Sequence, residues 1–195
     1  MIVFDDVSLS FGRRALFSDV TLTLRGGKVI GVTGANGSGK STFLKLAGKI
    51  LRPDGGEVHL PDDKTIAALS PEMKIYDTLT ARENISFFTK LRGKTLTAEE
   101  IIGLGERVGL DLETFGDVRA ENLSTGMSQR LKFAILLSVD ADIWLLDEPT
   151  ANLDDDGRDK IFHEVCGAKA DKIILLATND KAEVALCDEI IQLPL

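Results

Sequence analysis

The stretch Gly34-Ala35-Asn36-Gly37-Ser38-Gly39-Lys40-Ser41-Thr42 spaces glycines, a lysine and hydroxyl residues in a way that suits a polyphosphate. Glycine lacks a Cβ and tolerates positive φ, so such a backbone can wrap closely round phosphate oxygens. Residues 28–33 are apolar enough for a buried parallel strand. Residues 41–51 place Phe43, Leu44, Leu46, Ala47, Ile50 and Leu51 at helical spacing. A helix there would point its free N–H groups and positive end at the same oxygens. Lys40 would reach the β- and γ-phosphates and the Ser41 hydroxyl would ligate Mg²⁺. Lys40 is the only fixed positive side chain expected at the phosphates. The bland alternative is a glycine-rich turn that binds nothing. A strand before the loop and a helix after it favour a nucleoside triphosphate.

A second group of residues lies far downstream. Ile143-Trp144-Leu145-Leu146 is a continuous apolar run, as in a strand buried on both faces, and it ends in Asp147-Glu148. An acid at that strand end would hold Mg²⁺ opposite Ser41. Glu148 projects differently and could take a proton from an attacking water. Alone, the pair would read as a polar turn; the phosphate loop upstream changes that reading.

The elements that must position these groups can be read in order. Residues 2–10 and 16–24 alternate apolar and polar, as half-buried antiparallel strands do, around the turn Phe11-Gly12-Arg13-Arg14. Pro53-Asp54-Gly55-Gly56 leads into short strands at 57–60 and 65–69. Helices start after Thr80 and Thr97, each with a glutamate three residues on, a capping box. Ser124 caps another, carrying Leu131, Phe133, Ala134, Leu136 and Leu137. A helix at 154–166, a strand at 172–177, a helix at 180–186 and a strand at 188–193 follow. This alternation predicts an α/β fold with a mostly parallel sheet and an N-terminal antiparallel part. Residues 70–122 look helical, an insertion in the core.

With 195 residues, the chain suits one α/β domain. The core is expected at about 1–70 and 123–195, and a helical subdomain at about 71–122. Lys and Arg number 23 against 31 acids, a net charge of −8. Without a basic cluster, nucleic acid is not an expected partner. Cys166 and Cys187 do not form a metal-binding pair and read as buried free thiols of a reducing cytoplasm. The N-terminus does not read as a signal peptide, and no apolar run is long enough to span a membrane.

These motifs together resemble the ATP-binding subunits of ABC transporters over nearly the whole chain. Gly34–Thr42 resembles that family's Walker A loop and Ile143–Glu148 its Walker B strand with the catalytic glutamate. Leu123-Ser124-Thr125-Gly126-Met127 resembles the signature motif, and Ala151-Asn152-Leu153-Asp154 the D-loop. Phe11 stands at the adenine-stacking aromatic, and 69–88 resembles the Q-loop with the start of the helical subdomain. The resemblance implies an ATPase with ATP and Mg²⁺. It also implies a second ATP-binding subunit, whose signature closes on the first subunit's γ-phosphate. A separate membrane permease would hold the chain at the inner face of the membrane.

Several positions depart from the family pattern. Phe11 replaces tyrosine, and Thr125 and Met127 replace glycine and glutamine. Glu72 replaces the Q-loop glutamine; it could still accept from water on the metal, but adds negative charge. Asn179 replaces the switch histidine, which implies reduced turnover. His59 and His163, the only histidines, read as surface or strand-edge residues. The chain is similar to exporter ATPases of the ABC-2 type and to the ATPase subunit of haem export, and the residues do not choose between them. Two other readings stay open: an ATP-dependent dimerising regulatory module that scarcely hydrolyses, and a soluble ABC ATPase outside transport.

Overall fold

Alternating burial turns the N-terminal segment into an antiparallel ladder in the computed structural model, which describes residues 1–195. Strand β1 (Ile2–Phe11) pairs with β2 (Arg14–Leu24) on one side and with β4 (Gly55–His59) on the other. The inward residues Ile2, Phe4, Val7, Leu9, Phe17, Val20 and Leu24 are buried, while their outward neighbours meet solvent. The second sheet is parallel, in the order β5-β6-β7-β3-β8: Ile66–Leu69, Ile143–Asp147, Ile173–Ala177, Val29–Thr33 and Glu189–Gln192. Its central strands β6, β7 and β3 are buried at every position. That explains their unbroken apolar runs.

Helix α1 (Lys40–Ala47) follows β3 directly. Its Phe43 ring stacks on Phe4 at 4.9 Å and meets Phe17 edge-on at 6.0 Å. Ile30, Val32, Leu145 and Leu175 from the parallel sheet belong to the same core. The helix is shorter than its apolar spacing predicts. Gly48 caps it, Lys49 turns with φ 52°, and Ile50 points outward at 61% exposure.

The chain divides into two compact units. Met1–Ile66, Asp142–Glu148 and Cys166–Leu195 form the first; Ala67–Ala141 and Pro149–Val165 form the second. The second is built of α2 (Ala81–Leu91), α3 (Ala98–Val108), α4 (Leu112–Phe115), α5 (Thr125–Val139) and most of α6 (Asp155–Ala168). Both expected capping boxes are present: Thr80 with Glu83 and Thr97 with Glu100. The short helix α7 (Lys181–Ala185) completes the first unit and is capped by Asp180. No helix is long and apolar enough to cross a membrane.

Two thiols differ from expectation. Cys166 is exposed on α6, because it falls on the outward face of that helix. Cys187 is part-buried, and burial, followed by the charges of Glu183 and Asp188, pushes its thiol up to about 11. Both histidines are exposed, as expected.

At the edge of the first unit, Asp142 accepts from Lys64 Nζ (2.6 Å), Thr65 N (2.9 Å) and Thr65 Oγ1 (2.9 Å). Lys64 and then the Thr65 N–H hold its carboxyl well below the usual carboxylate range. A depressed folded value stabilises above the unfolded pKa, about 3.9, and that stabilisation is lost as pH falls toward the folded value. Asp142→Asn should therefore lower the urea midpoint near neutrality and flatten its fall between about pH 4 and pH 2. Parallel pH profiles for the two proteins would remove Asp142 from the acid response.

Candidate functional site

The phosphate loop leaves β3 at Thr33 and enters α1 at Lys40. Gly39, the N-cap of α1, has φ +102°, and a Cβ there would lie 2.9 Å from Leu16 Cδ2. Only glycine permits both that backbone angle and the close approach of β2. Lys40 is buried and donates from Nζ to the loop's own carbonyls, Gly34 O at 2.9 Å and Ala35 O at 3.4 Å. The Ser38 hydroxyl is buried with no hydrogen-bond partner, an unmet polar group inside the loop.

Opposite the loop stands the tip of the β1–β2 hairpin. Gly12 has φ +61° at the first position of a two-residue connection, the arrangement of a type II′ turn. Phe11 and Arg14 are thereby direct cross-strand partners. Phe11 is 57% exposed. A cavity of about 480 Å³ lies between hairpin and loop, lined by Phe11, Arg14, Leu16, Asn36, Gly37, Gly39, Lys40, Ser41, Thr42, Asp147 and Glu148.

Asp147 ends β6 in a buried position and makes no side-chain hydrogen bond or ion pair. Glu148 is exposed, and its N–H continues the ladder to Ala177 O at 2.9 Å. Its φ of 49° is unusual for a residue with a side chain; it turns Glu148 away from the direction of Asp147. The cavity thus holds an aromatic ring, backbone donors, two cations, two hydroxyl residues and two carboxylates. The volume lies in the usual range for a small-molecule site. Hard oxygen donors at Ser41 and Asp147, the latter without a protein partner, suit Mg²⁺. The unpaired Ser38 hydroxyl and the carbonyl-bound Lys40 suit phosphate oxygens.

Most of the sequence-derived ATP and metal residues therefore line one wall, with Gly34, Ala35 and Ser38 forming the loop behind it. Asn179 meets the loop directly: its Nδ2 donates to Asn36 Oδ1 at 2.9 Å. Arg14 and Leu16 were not foreseen. Arg14 corrects the expectation that Lys40 is the sole cation, because only the strand register brings residue 14 opposite Phe11.

The remaining sequence-derived residues belong to the second unit. Ser124 caps α5, accepting from Met127 N at 3.2 Å; exposed Thr125 and part-buried Gly126 open its first turn, with Leu123 just before. Gln129 donates to Pro149 O at 2.8 Å. Arg130 is buried and donates to Val108 O (3.1 Å), Gly109 O (2.8 Å) and Asp154. The signature helix is thus tied to the segment containing Ala151, Asn152, Leu153 and Asp154, where Asn152 has φ 65°. Glu72 lies in an exposed turn after β5. Ile85 faces inward from α2 and is fully buried. Phe87 and Phe88 cluster with exposed Tyr76, Phe87 lying 4.7 Å from its ring.

Residues 17–151 match the ABC transporter family. The chain belongs to that family. It is 32% identical to the cytochrome c biogenesis ATP-binding export protein CcmA of Rhizobium meliloti, over 91% of this chain and 90% of that protein. It is also 32% identical to the mouse ABC-type organic anion transporter ABCA8B over 85% of this chain, but spans 11% of that transporter's length. In fold it is similar to MJ0796, a bacterial ABC transporter cassette solved as a dimer. The TM-score is 0.87 at 24% identity, covering 98% of this chain and 94% of the other. This ABC cassette therefore has the family's mixed α/β architecture, with one parallel and one antiparallel sheet.

The αL backbone at Glu148 carries a steric cost of roughly 1–2 kcal/mol relative to glycine. Its side chain makes no protein contact that offsets this. Glu148→Gly should consequently raise unfolding free energy by ~1 kcal/mol in urea titration. A less stable variant would mean that the glutamate side chain contributes to folding.

Proposed function

We propose that this chain is a Mg²⁺-dependent ATPase subunit that drives a separate membrane permease, in the direction of export. The observation that carries the reading is the common cavity of Phe11, the Gly34–Thr42 loop, Asp147 and Glu148. In this reading adenine stacks on Phe11, which keeps the π-face of a tyrosine without its hydroxyl. The N–H groups of the loop and of α1 receive the phosphates. Lys40 exchanges two neutral carbonyls for phosphate oxygens, a charge-assisted and stronger bond. Ser41 and Asp147 would hold Mg²⁺, and Glu72 would accept from water on the metal. The ion supplies charge neutralisation at the β- and γ-phosphates. Glu148 accepts a proton from water as its oxygen bonds to the γ-phosphorus. The bond from that phosphorus to the bridging oxygen breaks, and its electron pair leaves with ADP.

A second ATP-binding subunit completes the site with Leu123–Met127, whose capped helix start directs free N–H groups outward. The segment Ala151–Asp154, tied to that helix, carries the coupling between two sites. The helical subdomain at about 71–122, distinct from a core at 1–70 and 123–195, docks on the permease at the inner membrane face. Export is favoured by the similarity to a protein named for cytochrome c biogenesis export. A slow-hydrolysing, dimerising module is the second reading. The hydrogen bond from Asn179 to Asn36 favours it, because it occupies part of the amide that would otherwise serve the γ-phosphate.

Lys40→Ala should abolish tight ATP binding in calorimetry. Glu148→Gln should lower turnover by ~10²–10⁴ while ATP accumulates in a dimer seen by light scattering. Full turnover in either variant would sink the assignment. Asn179→His separates the two readings. A rise in single-turnover rate with little change in affinity supports a slowed ATPase. An unchanged or lower rate shows Asn179 adapted to its role.

A further inference from the structure

We infer that Arg14 is a nucleotide-binding residue of this cassette, contacting the α-phosphate; the inference rests on the ATP-site reading above. Arg14 opens β2 and faces Phe11 across a two-residue turn. It lines the cavity with Phe11 and the loop, and its Nη2 donates to Gly37 O at 3.3 Å, its one hydrogen bond. It forms no ion pair, although the chain carries 31 acidic side chains and a net charge of −8.

A guanidinium has five N–H donors in a flat fork, and four of them find no partner in the protein. Its one acceptor is a neutral carbonyl of the loop that would receive phosphate. Lys40 is held in the same way, by Gly34 and Ala35 carbonyls. Both cations of the cavity are thus parked on the loop's own backbone, where an anionic oxygen would displace the carbonyl with a gain in strength.

The position assigns the phosphate. A nucleotide with its base on Phe11 and its terminal phosphates at Lys40 must pass the guanidinium that lies beside Phe11 and touches Gly37. The group at that point is the ribose and its α-phosphate. Of the two, the phosphate matches a guanidinium fork. Charge adds a reason. A protein of net −8 repels a polyanion at long range, so local cations must reverse the field at the site. Lys40 alone supplies a single charge against ATP's three to four. The hairpin brings the second.

The test is calorimetric affinity of the full chain for ATP and ADP, with adenosine measured by competition. Removing a charge-assisted bond at an accessible site should weaken binding about 10-fold or more. Arg14→Ala should weaken ATP and ADP by the same factor and leave adenosine unchanged. Arg14→Lys should restore only part, since it keeps the charge and loses the fork. The ATP ratio of wild type to Arg14→Ala should shrink as salt rises. Arg14 is exposed, so the thermal midpoint of the nucleotide-free variant should match that of the wild type. Equal ATP and ADP affinities in wild type and Arg14→Ala would overturn the inference while leaving the ATP site intact. A loss confined to ATP would move Arg14 to the γ-phosphate, and an equal loss for adenosine would make it a base contact; either overturns the α-phosphate assignment. Failure of the unaltered protein to bind ATP would sink the site reading and this inference together.

Discussion

The Phe43 ring, stacked on Phe4 and edge-on to Phe17, is the contact on which the nucleotide site depends. Phe43 belongs to the helix that follows the phosphate loop; the other two rings belong to the strands that carry Phe11 and Arg14. A base platform on one sheet and a phosphate cradle on the other must stay in fixed register if one ligand is to touch both. Three fully buried aromatic rings provide that register, since interiors are close-packed and transmit displacement. Leu16 against Gly39 repeats the constraint at the rim of the site. There a Cβ would push hairpin and loop apart.

Around that frame the cavity keeps several groups in states that favour a ligand over the empty protein. Ser38 has a buried hydroxyl without a protein partner, Asp147 a buried carboxylate that no protein cation pairs, and Glu148 an αL backbone. Each costs free energy that the buried sheet and α1 core must offset. Such costs concentrate where binding or chemistry needs preorganised groups. Asn179 is the exception, because its amide is already satisfied in part by Asn36.

The second unit solves a different problem, that of presenting one helix end and one loop together. Arg130 does this with a single side chain, joining α5 to the C-terminal carbonyls of α3 and to Asp154. Burial of its guanidinium is tolerable because carbonyls and a carboxylate meet its donors. Asn84 works similarly, exchanging hydrogen bonds with the Tyr76 backbone at 2.8 and 3.0 Å, which shapes the turn before α2. Both are local devices that hold surface segments in shape.

What the sequence determined by itself is whatever short-range chemistry dictates. The phosphate loop, the two capping boxes and the buried strand ending in Asp147-Glu148 each depend on residues within a few positions of one another. Their elements appear where the spacing puts them. The tertiary structure decided what depends on residues distant in sequence. Ile50 has helical spacing, yet Gly48 stops the helix and leaves it outside; Cys166 reads as buried, yet the face of α6 on which it falls leaves it exposed. Arg14 is the clearest case. In sequence it is one more basic residue of a turn, and nothing local marks it. It enters the site because strand register sets it against Phe11 and the aromatic stack sets that hairpin against the loop. Register and packing arise from long-range pairing, so composition and periodicity could not reveal them.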